Sequence, residues 1–298
     1  MEKKKIRGEF YLATTAVIWG LAFISQKLGL NHLGPLTFSA TRLLIGAGVL
    51  VPIFLVMDRF KKTPTDNRGI WKIGILLGLV LVPAINLQQM SLKYTTAGKS
   101  AFITTLYILL VPLFGLFMGR RATKLQWLGA ILGTIGLYFL SIKTDFTMQY
   151  GDLIVLISSV FWTLHILLID RFGKHFDSAR LSAIQFLTCG LISWLLAFLW
   201  ENPLSGGYVA SLGPLLFTGI VAVGIAYTCQ IIGQKTVEPS TASLILSFEA
   251  VIAVLAGMVF LKESLSAREA LGCIIMFIAI VLSQRGATYE EIEGATDL

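Results

Sequence analysis

From Phe10 to Ser283 the chain is a near-unbroken series of apolar runs separated by short polar turns. Each run approaches the roughly 20 residues that carry an α-helix across the hydrocarbon core of a bilayer. In hydrocarbon every backbone N–H and C=O must be satisfied internally, so a run of that kind folds as a helix or not at all. Ten such runs are marked, over 10–30, 35–57, 70–90, 100–118, 125–142, 151–169, 180–200, 212–233, 241–261 and 267–283. The connections are too short to hold a separately folded domain. Only 14% of residues are charged, against roughly 25% in soluble domains. The expected fold is therefore an all-α membrane protein with ten transmembrane helices.

The ends of the chain fit that expectation. MEKKKIRGEF followed by an apolar run resembles a signal peptide, but the run is longer than a usual apolar signal core and lacks an A-x-A-like cleavage site, so it reads as a retained first helix. The tail from Gly286, with Glu290, Glu291, Glu293 and Asp297, is expected to be disordered. The net charge of +7 does not suggest nucleic acid, because the basic residues sit in short loops between apolar runs. Cys189, Cys229 and Cys273 all fall inside apolar runs, without CxxC or Cys/His metal spacing, and read as small buried residues. No metal or cofactor is expected.

The runs repeat. Gly8-Glu9 aligns with Gly151-Asp152, Trp19 with Trp162, His32 with His175, and Ser39-Ala40 with Ser182-Ala183. After a one-residue shift, Gln88 matches Gln230, Lys93 matches Lys235, Ile103 matches Ile245 and Gly115 matches Gly257; Gly129 then aligns with Gly272. Two units of five helices result, 9–142 and 151–284, followed by a tail over 285–298. Five is odd, so the second unit enters the membrane in the opposite sense. Inverted-topology repeats of this kind are a transporter architecture. Loop charges give the orientation. With the N-terminus in the cytoplasm, the inner loops and termini hold Lys3, Lys4, Lys5, Arg7, Arg59, Lys61, Lys62, Arg68, Lys72, Arg120, Arg121, Lys124, Arg171, Lys174, Arg180, Lys235 and Arg285. The outer loops hold only Lys93, Lys99, Lys143, Lys262 and Arg268. The excess of Lys and Arg marks the cytoplasmic side and puts both termini there.

Polar residues within the spans recur at helical spacing: Trp19, Ala22 and Gln26; Asn86 and Gln89; Ser100, Thr104 and Tyr107; Trp162 and His165; Tyr227, Gln230 and Gln234. Such faces turn away from lipid. They line a polar cavity, or they hydrogen-bond helix to helix. Trp19 and Trp162 lie mid-span rather than at the interfaces that tryptophan usually anchors. Arg42, about two turns into the second span, either pairs with a helix carbonyl or an anionic ligand group or snorkels outward; Lys27, nearer its helix end, reads as snorkelling. Gly74/Gly78, Gly115/Gly119 and Gly129/Gly133 are GxxxG pairs that bring helices close.

Glu249 alone among the acidic residues lies deep in a span. A carboxylate at that depth needs a partner, water or a proton. It is a proton-coupling group or a structural hydrogen-bonding group, and its repeat equivalent is Tyr107. Gly98-Lys99-Ser100 imitates the end of a phosphate-binding loop, but the first glycine of that motif falls on Lys93 and no strand precedes it. HExxH, GxSxG and paired intramembrane aspartates do not occur in the sequence, which argues against an intramembrane protease or another enzyme.

Ala16-Val17-Ile18-Trp19-Gly20 and Thr41-Arg42-Leu43-Leu44 resemble the first repeat of the drug/metabolite transporter superfamily, EamA-type branch. Glu249, Lys262-Glu263 and Gly272 resemble the close of that family's second repeat, and the resemblance covers residues 9–284. Proline often follows the buried glutamate in that family, where this chain has Ala250, and Trp162-Thr163 stands where Trp-Gly would mirror the first repeat. The resemblance implies two inverted halves around a cavity lined by the first, third, fourth, sixth, eighth and ninth helices. It implies a secondary carrier that moves a small amphipathic metabolite, such as an amino acid, amine or drug-like compound, outward across a bacterial cytoplasmic membrane. The expected partners are a small-molecule substrate and the lipid bilayer. The expected cavity residues are Trp19, Gln26, Arg42, Asn86, Gln89, Tyr107, Trp162, His165, Tyr227 and Gln230. A phosphorylated- or nucleotide-sugar exchanger and a non-transporting membrane assembly protein remain as alternatives.

Overall fold

The computed structural model describes residues 2–60, 69–117, 123–141, 148–237 and 239–296, and none of these forms a strand. Several of the loop charges counted above (Lys61, Lys62, Arg68, Arg120, Arg121 and Lys143), and Gly119 of the second GxxxG pair, lie outside them. The helices are α1 (Glu2–Gly29), α2 (Pro35–Phe60), α3 (Ile70–Ser91), α4 (Ala97–Thr104), α5 (Tyr107–Phe117), α6 (Lys124–Ser141), α7 (Tyr150–Phe172), α8 (Ser178–Trp200), α9 (Leu212–Leu216), α10 (Tyr227–Gln234), α11 (Pro239–Ala256) and α12 (Ala267–Thr296). A π-helical segment, Phe217–Ala226, joins α9 to α10, and another, Gly257–Leu261, extends α11.

Seven helical stretches among the described residues are long and apolar enough to cross a membrane, and Trp127–Leu140 and Ile245–Leu261 are shorter apolar helices. Large apolar side chains such as Leu79, Leu195, Phe198, Leu199, Val259 and Phe260 are exposed on the outside of the bundle. For a protein in water such a surface is an aggregation hazard; in a bilayer it faces acyl chains.

Two expectations are corrected. The fourth span is not one helix. It breaks at Thr105–Leu106, where the chain tightens so that Leu106 N bonds to Ile103 O (3.2 Å) and Ile108 N to Thr105 O (3.0 Å). Pro112 inside α5 lacks an N–H and so withholds the bond its position would give the Ile108 carbonyl, just past the break. The tail is not disordered up to its end either: α12 runs on to Thr296. No proline interrupts the stretch from Gln284, and its Ala and Glu residues are good helix formers, so a helix already nucleated in the span propagates through it.

Helix α6 packs along α12 and α2 along α8. Between those pairs, α1 lies on α10 and α11, while α3 and the broken α4–α5 lie on α7. The α6–α12 seam depends on glycine. A Cβ on Gly272 would sit 2.7 Å from Leu140 N and 2.8 Å from Gly136 O, so any side chain there forces the helices apart. Helix starts are tied by carboxylates distant in sequence. Glu201 accepts from Leu36 N and Thr37 N, both at 2.9 Å, at the head of α2, and Glu263 accepts from Ala97 N (2.9 Å) at the head of α4. Each satisfies N–H groups that a helix start leaves open, and places negative charge at the positive end of its dipole.

Candidate functional site

The polar faces of the helices meet at the middle of the bundle. There Trp19, Ala22, Phe23 and Gln26 of α1, Arg42 of α2 and Gln88 of α3 form one side of a cavity. Thr104 and Tyr107 flank the α4–α5 break, and Trp162 and Ile166 come from α7. Ala222 of the π-helical segment, Tyr227 and Gln230 of α10, and Leu246 and Glu249 of α11 close the ring. The free space inside is about 30 Å³, room for a few waters and no more. A metabolite fits only if the walls move apart.

Three rings make the floor. Trp19 and Tyr227 lie 4.6 Å apart between centroids, Trp162 and Tyr227 stack at 6.1 Å, and Trp19 and Trp162 stand at 6.3 Å. These are the distances at which aromatic pairs attract. Phe186 of α8 backs Tyr227 at 4.8 Å. The first tryptophan is anchored: Trp19 Nε1 donates to Ala222 O at 3.2 Å, and one turn earlier Thr15 Oγ1 donates to Ala226 O at 2.9 Å. The second is not. Trp162 Nε1 is buried without a hydrogen-bond partner, as are Gln26 Oε1, Arg42 Nε and Gln230 Oε1 around the same space. A buried polar atom left unpaired costs about 1–3 kcal/mol, so four of them facing one space from α1, α2, α7 and α10 leave it suited to a ligand or water.

Glu249, 3% exposed, has a partner in the protein: Tyr107 Oη donates to its Oε1 at 3.2 Å. The two repeat-equivalent residues therefore meet each other, with Tyr107 standing at the first position of α5, just after the break. Arg42, 5% exposed, faces the cavity with its guanidinium 6.0 Å from the Phe38 ring. It does not snorkel to a helix end. Lys27 does not snorkel into water either; its Nζ donates to Thr95 O and lies 3.8 Å from Glu263.

Of the expected cavity residues, Trp19, Gln26, Arg42, Tyr107, Trp162, Tyr227 and Gln230 line the space, and Glu249 with them. Asn86, Gln89 and His165 do not. Asn86 Nδ2 donates to Val82 O (2.8 Å) and to Ser193 Oγ of α8 (2.7 Å), and Gln89 Nε2 donates to Gln26 O of α1 (3.2 Å). His165 Nε2 meets Gln185 Oε1 at 3.0 Å, behind the rings of Trp162 and Tyr227. These three each spend one end of the side chain on a neighbouring helix, the alternative that polar faces in a bundle carry, while Asn86 Oδ1, Gln89 Oε1 and His165 Nδ1 are buried without a partner. Gln88, not Gln89, is the cavity amide of α3, held by a bond from its Nε2 to Thr104 Oγ1 at 3.1 Å. Its match to Gln230 in the repeat was the signal that pointed to it. Phe23, Ile166, Ala222 and Leu246 are further wall residues that sequence reasoning did not select, and Thr104 lines the space from the polar face on which it was placed.

A helical bundle with apolar flanks and a polar aromatic cavity at its centre is the build of a membrane transporter. The model of the EamA-like transporter family matches twice, over residues 6–142 and 149–284, and the chain belongs to that family. It is 23% identical to the uncharacterized transporter YoaV of Bacillus subtilis, over 91% of this chain and 94% of that one. It is 26% identical to an uncharacterized transporter of Archaeoglobus fulgidus (94% and 86% covered). It is likewise 26% identical to the uncharacterized inner membrane transporter YedA of Escherichia coli K12 (91% and 88%). Among solved structures, one described only as the crystal structure of a protein superposes with a TM-score of 0.67 at 21% identity, covering 93% of this chain and 96% of that one, which shows a shared fold.

Proposed function

We propose that the protein is a secondary carrier that exports a small amphipathic metabolite across the cytoplasmic membrane by alternating access. In this reading ten helices form two inverted halves, 9–142 and 151–284, and both termini and the tail over 285–298 are cytoplasmic. The observation that carries the proposal is the place of the cavity in the repeat. Five wall pairs are repeat equivalents: Trp19 and Trp162, Phe23 and Ile166, Gln88 and Gln230, Thr104 and Leu246, Tyr107 and Glu249. A cavity whose opposite walls come from matching positions lies where inverted-repeat carriers bind substrate. The packing agrees, since α2 with α8 and α6 with α12 are each a helix packed against its own counterpart. Family membership and the relatives' names support transport rather than catalysis.

The wall supports the ligand class. Trp162, Tyr227 and Trp19 offer ring faces, Gln26, Gln88 and Gln230 offer amides, Arg42 offers a guanidinium and Glu249 a carboxyl group. A phosphorylated- or nucleotide-sugar exchanger would want converging cations, and the wall holds Arg42 alone, with Lys27 tied to Thr95. The test is a thermal-shift screen of the purified protein against amino acids, amines and drug-like compounds. A true ligand at a hundred times its Kd stabilises by about 2.7 kcal/mol. Counterflow of each hit is then measured in sealed proteoliposomes. Exchange of a stabilising compound is expected; stabilisation without exchange by any hit would make the protein a binder and end the carrier reading.

A further inference from the structure

At the end of the bundle away from the N-terminus, five segments are joined through buried or half-buried charges. Lys99, 3% exposed in the first turn of α4, lies 3.1 Å from Asp152 Oδ2 of α7 and 3.4 Å from Glu269 Oε1 of α12. Asp152 is fully buried and also accepts from Thr95 Oγ1 at 2.7 Å. Thr95 in turn accepts, through its carbonyl, from Lys27 at the end of α1. Glu263, in the segment before α12, reaches both Lys27 and the head of α4. Of the helices so joined, α1, α4 and α7 also wall the cavity.

The repeat-equivalent positions at the other end of the bundle do not carry this cluster. The repeat equivalents of Asp152, Thr95, Lys99 and Glu269 are Glu9, Val237, Thr241 and Gln126. Those four positions hold one charge, so they cannot form an ion pair among themselves. Gly8 and Gly233 approach closely there: a Cβ on Gly233 would stand 2.9 Å from Gly8 O. Buried ion pairs are poor stabilisers against an apolar replacement, because desolvation offsets most of their attraction; their best-attested use is to fix one arrangement over another.

Resting on the alternating-access reading, we propose that the Lys99–Asp152–Glu269 cluster, with Lys27 and Glu263, is a clasp that holds the outer end of the cavity shut and must part for the cavity to open outward. Lys99 and Asp152 are thus positioning residues that set which face of the membrane the cavity opens to. They touch no substrate.

The experiment reads access rather than activity. A reporter cysteine is placed in the cavity by Ala22→Cys, with Cys189, Cys229 and Cys273 replaced by alanine. Its labelling by a membrane-impermeant maleimide is timed in intact cells and in inside-out vesicles. The clasp is removed by the paired change Lys99→Met and Asp152→Asn, which leaves no unpaired buried charge on α4 or α7 and keeps an oxygen for Thr95. It is weakened separately by Lys27→Met. The paired variant should raise the ratio of outside to inside labelling at least tenfold, and Lys27→Met should move it the same way by less. An unchanged ratio in protein that folds, in either variant, overturns the clasp while the carrier reading stands. Should the paired variant fail to fold, the ratio for Lys27→Met decides. A reporter silent from both faces in parent and variants alike sinks the carrier reading itself, and the clasp with it.

Discussion

The two halves of the cavity wall agree in shape and differ in chemistry. Trp19 and Trp162, Phe23 and Ile166, and Gln88 and Gln230 occupy matching places with similar bulk and similar function. Where charge enters, the match ends: Glu249 stands opposite Tyr107, Arg42 corresponds to Gln185, and Gln26 to Ile169. The α8 residue Gln185 is spent on His165, while Arg42 faces the cavity. Packing has to be satisfied in both halves by the same contacts, so bulk is preserved. A small ligand presents different ends to the two walls, so polarity is not. The difference separates what the fold requires from what recognition requires.

The largest test of the comparison is all-or-none, because it asks whether the halves are inverted at all. Under the proposed topology, cysteines introduced at Lys61 and Lys174 are shielded from an impermeant thiol reagent in intact cells, and one introduced at Ser205 is labelled. Ser205 lies in the exposed connection between α8 and α9, so access does not depend on opening of the bundle. Labelling at Lys61 with protection at Ser205 would reverse the orientation and with it the proposed direction of export.

How much of this was legible beforehand depends on which force decided each feature. The spans were legible because bilayer thickness fixes their length and their apolar content. The breaks were less so. Pro112 hints at the one in the fourth span, but the π-helical turns of Phe217–Ala226 contain no proline to announce them. The site was readable where a residue had a repeat partner, as with Trp19, Trp162 and Gln230. It was misread where i, i+3 spacing alone was used. Asn86 and Gln89 share a face, yet Gln88, rotated off that face, is the residue on the cavity. Spacing gives a common face without saying what lies opposite. Lys99, Asp152 and Glu269 sit in the first turns of their helices; by sequence Lys99 counts among the loop charges and Asp152 and Glu269 stand at the edges of marked spans, with nothing to bring the three together.

A smaller effect sharpens the comparison within one matched pair. Trp19 Nε1 is bonded to Ala222 O, whereas Trp162 Nε1 has no partner in the protein. Trp19→Phe should therefore lose a structural bond, about 1 kcal/mol of stability, with ligand affinity changed little. Trp162→Phe should cost less stability than that and lower ligand affinity about tenfold, as removal of a donor to the ligand would. The check is the melting temperature and the Kd of both variants for whichever compound the screen returns. If the two behave alike on both measures, the halves are equivalent in recognition as well as in shape, and the distinction drawn between them fails.

The smallest expected effect concerns the pair that differs most in charge. Glu249 lies deep in the bundle, and the structure gives it a partner, Tyr107, through a bond of 3.2 Å to one carboxylate oxygen. If Glu249 carried a proton through the cycle it would have to alternate between charged and neutral forms, and Glu249→Gln would abolish transport driven by a pH gradient while leaving exchange intact. If its task is to receive the Tyr107 hydroxyl and so hold α11 against the broken α4–α5 span, glutamine still presents an oxygen to the phenol. The geometry favours the second outcome, since the carboxylate is engaged by a residue that packs its own repeat counterpart across the cavity. Gradient-driven uptake and counterflow of the Glu249→Gln protein should then both stay within about twofold of the parent, with a loss of at most about 1 kcal/mol in stability. Glu249→Leu, which removes the acceptor and leaves the phenol unpaired, should cost about 1–3 kcal/mol more. Loss of gradient-driven uptake with counterflow and folded yield preserved in Glu249→Gln would reverse this reading and make the asymmetry of the pair the site of coupling.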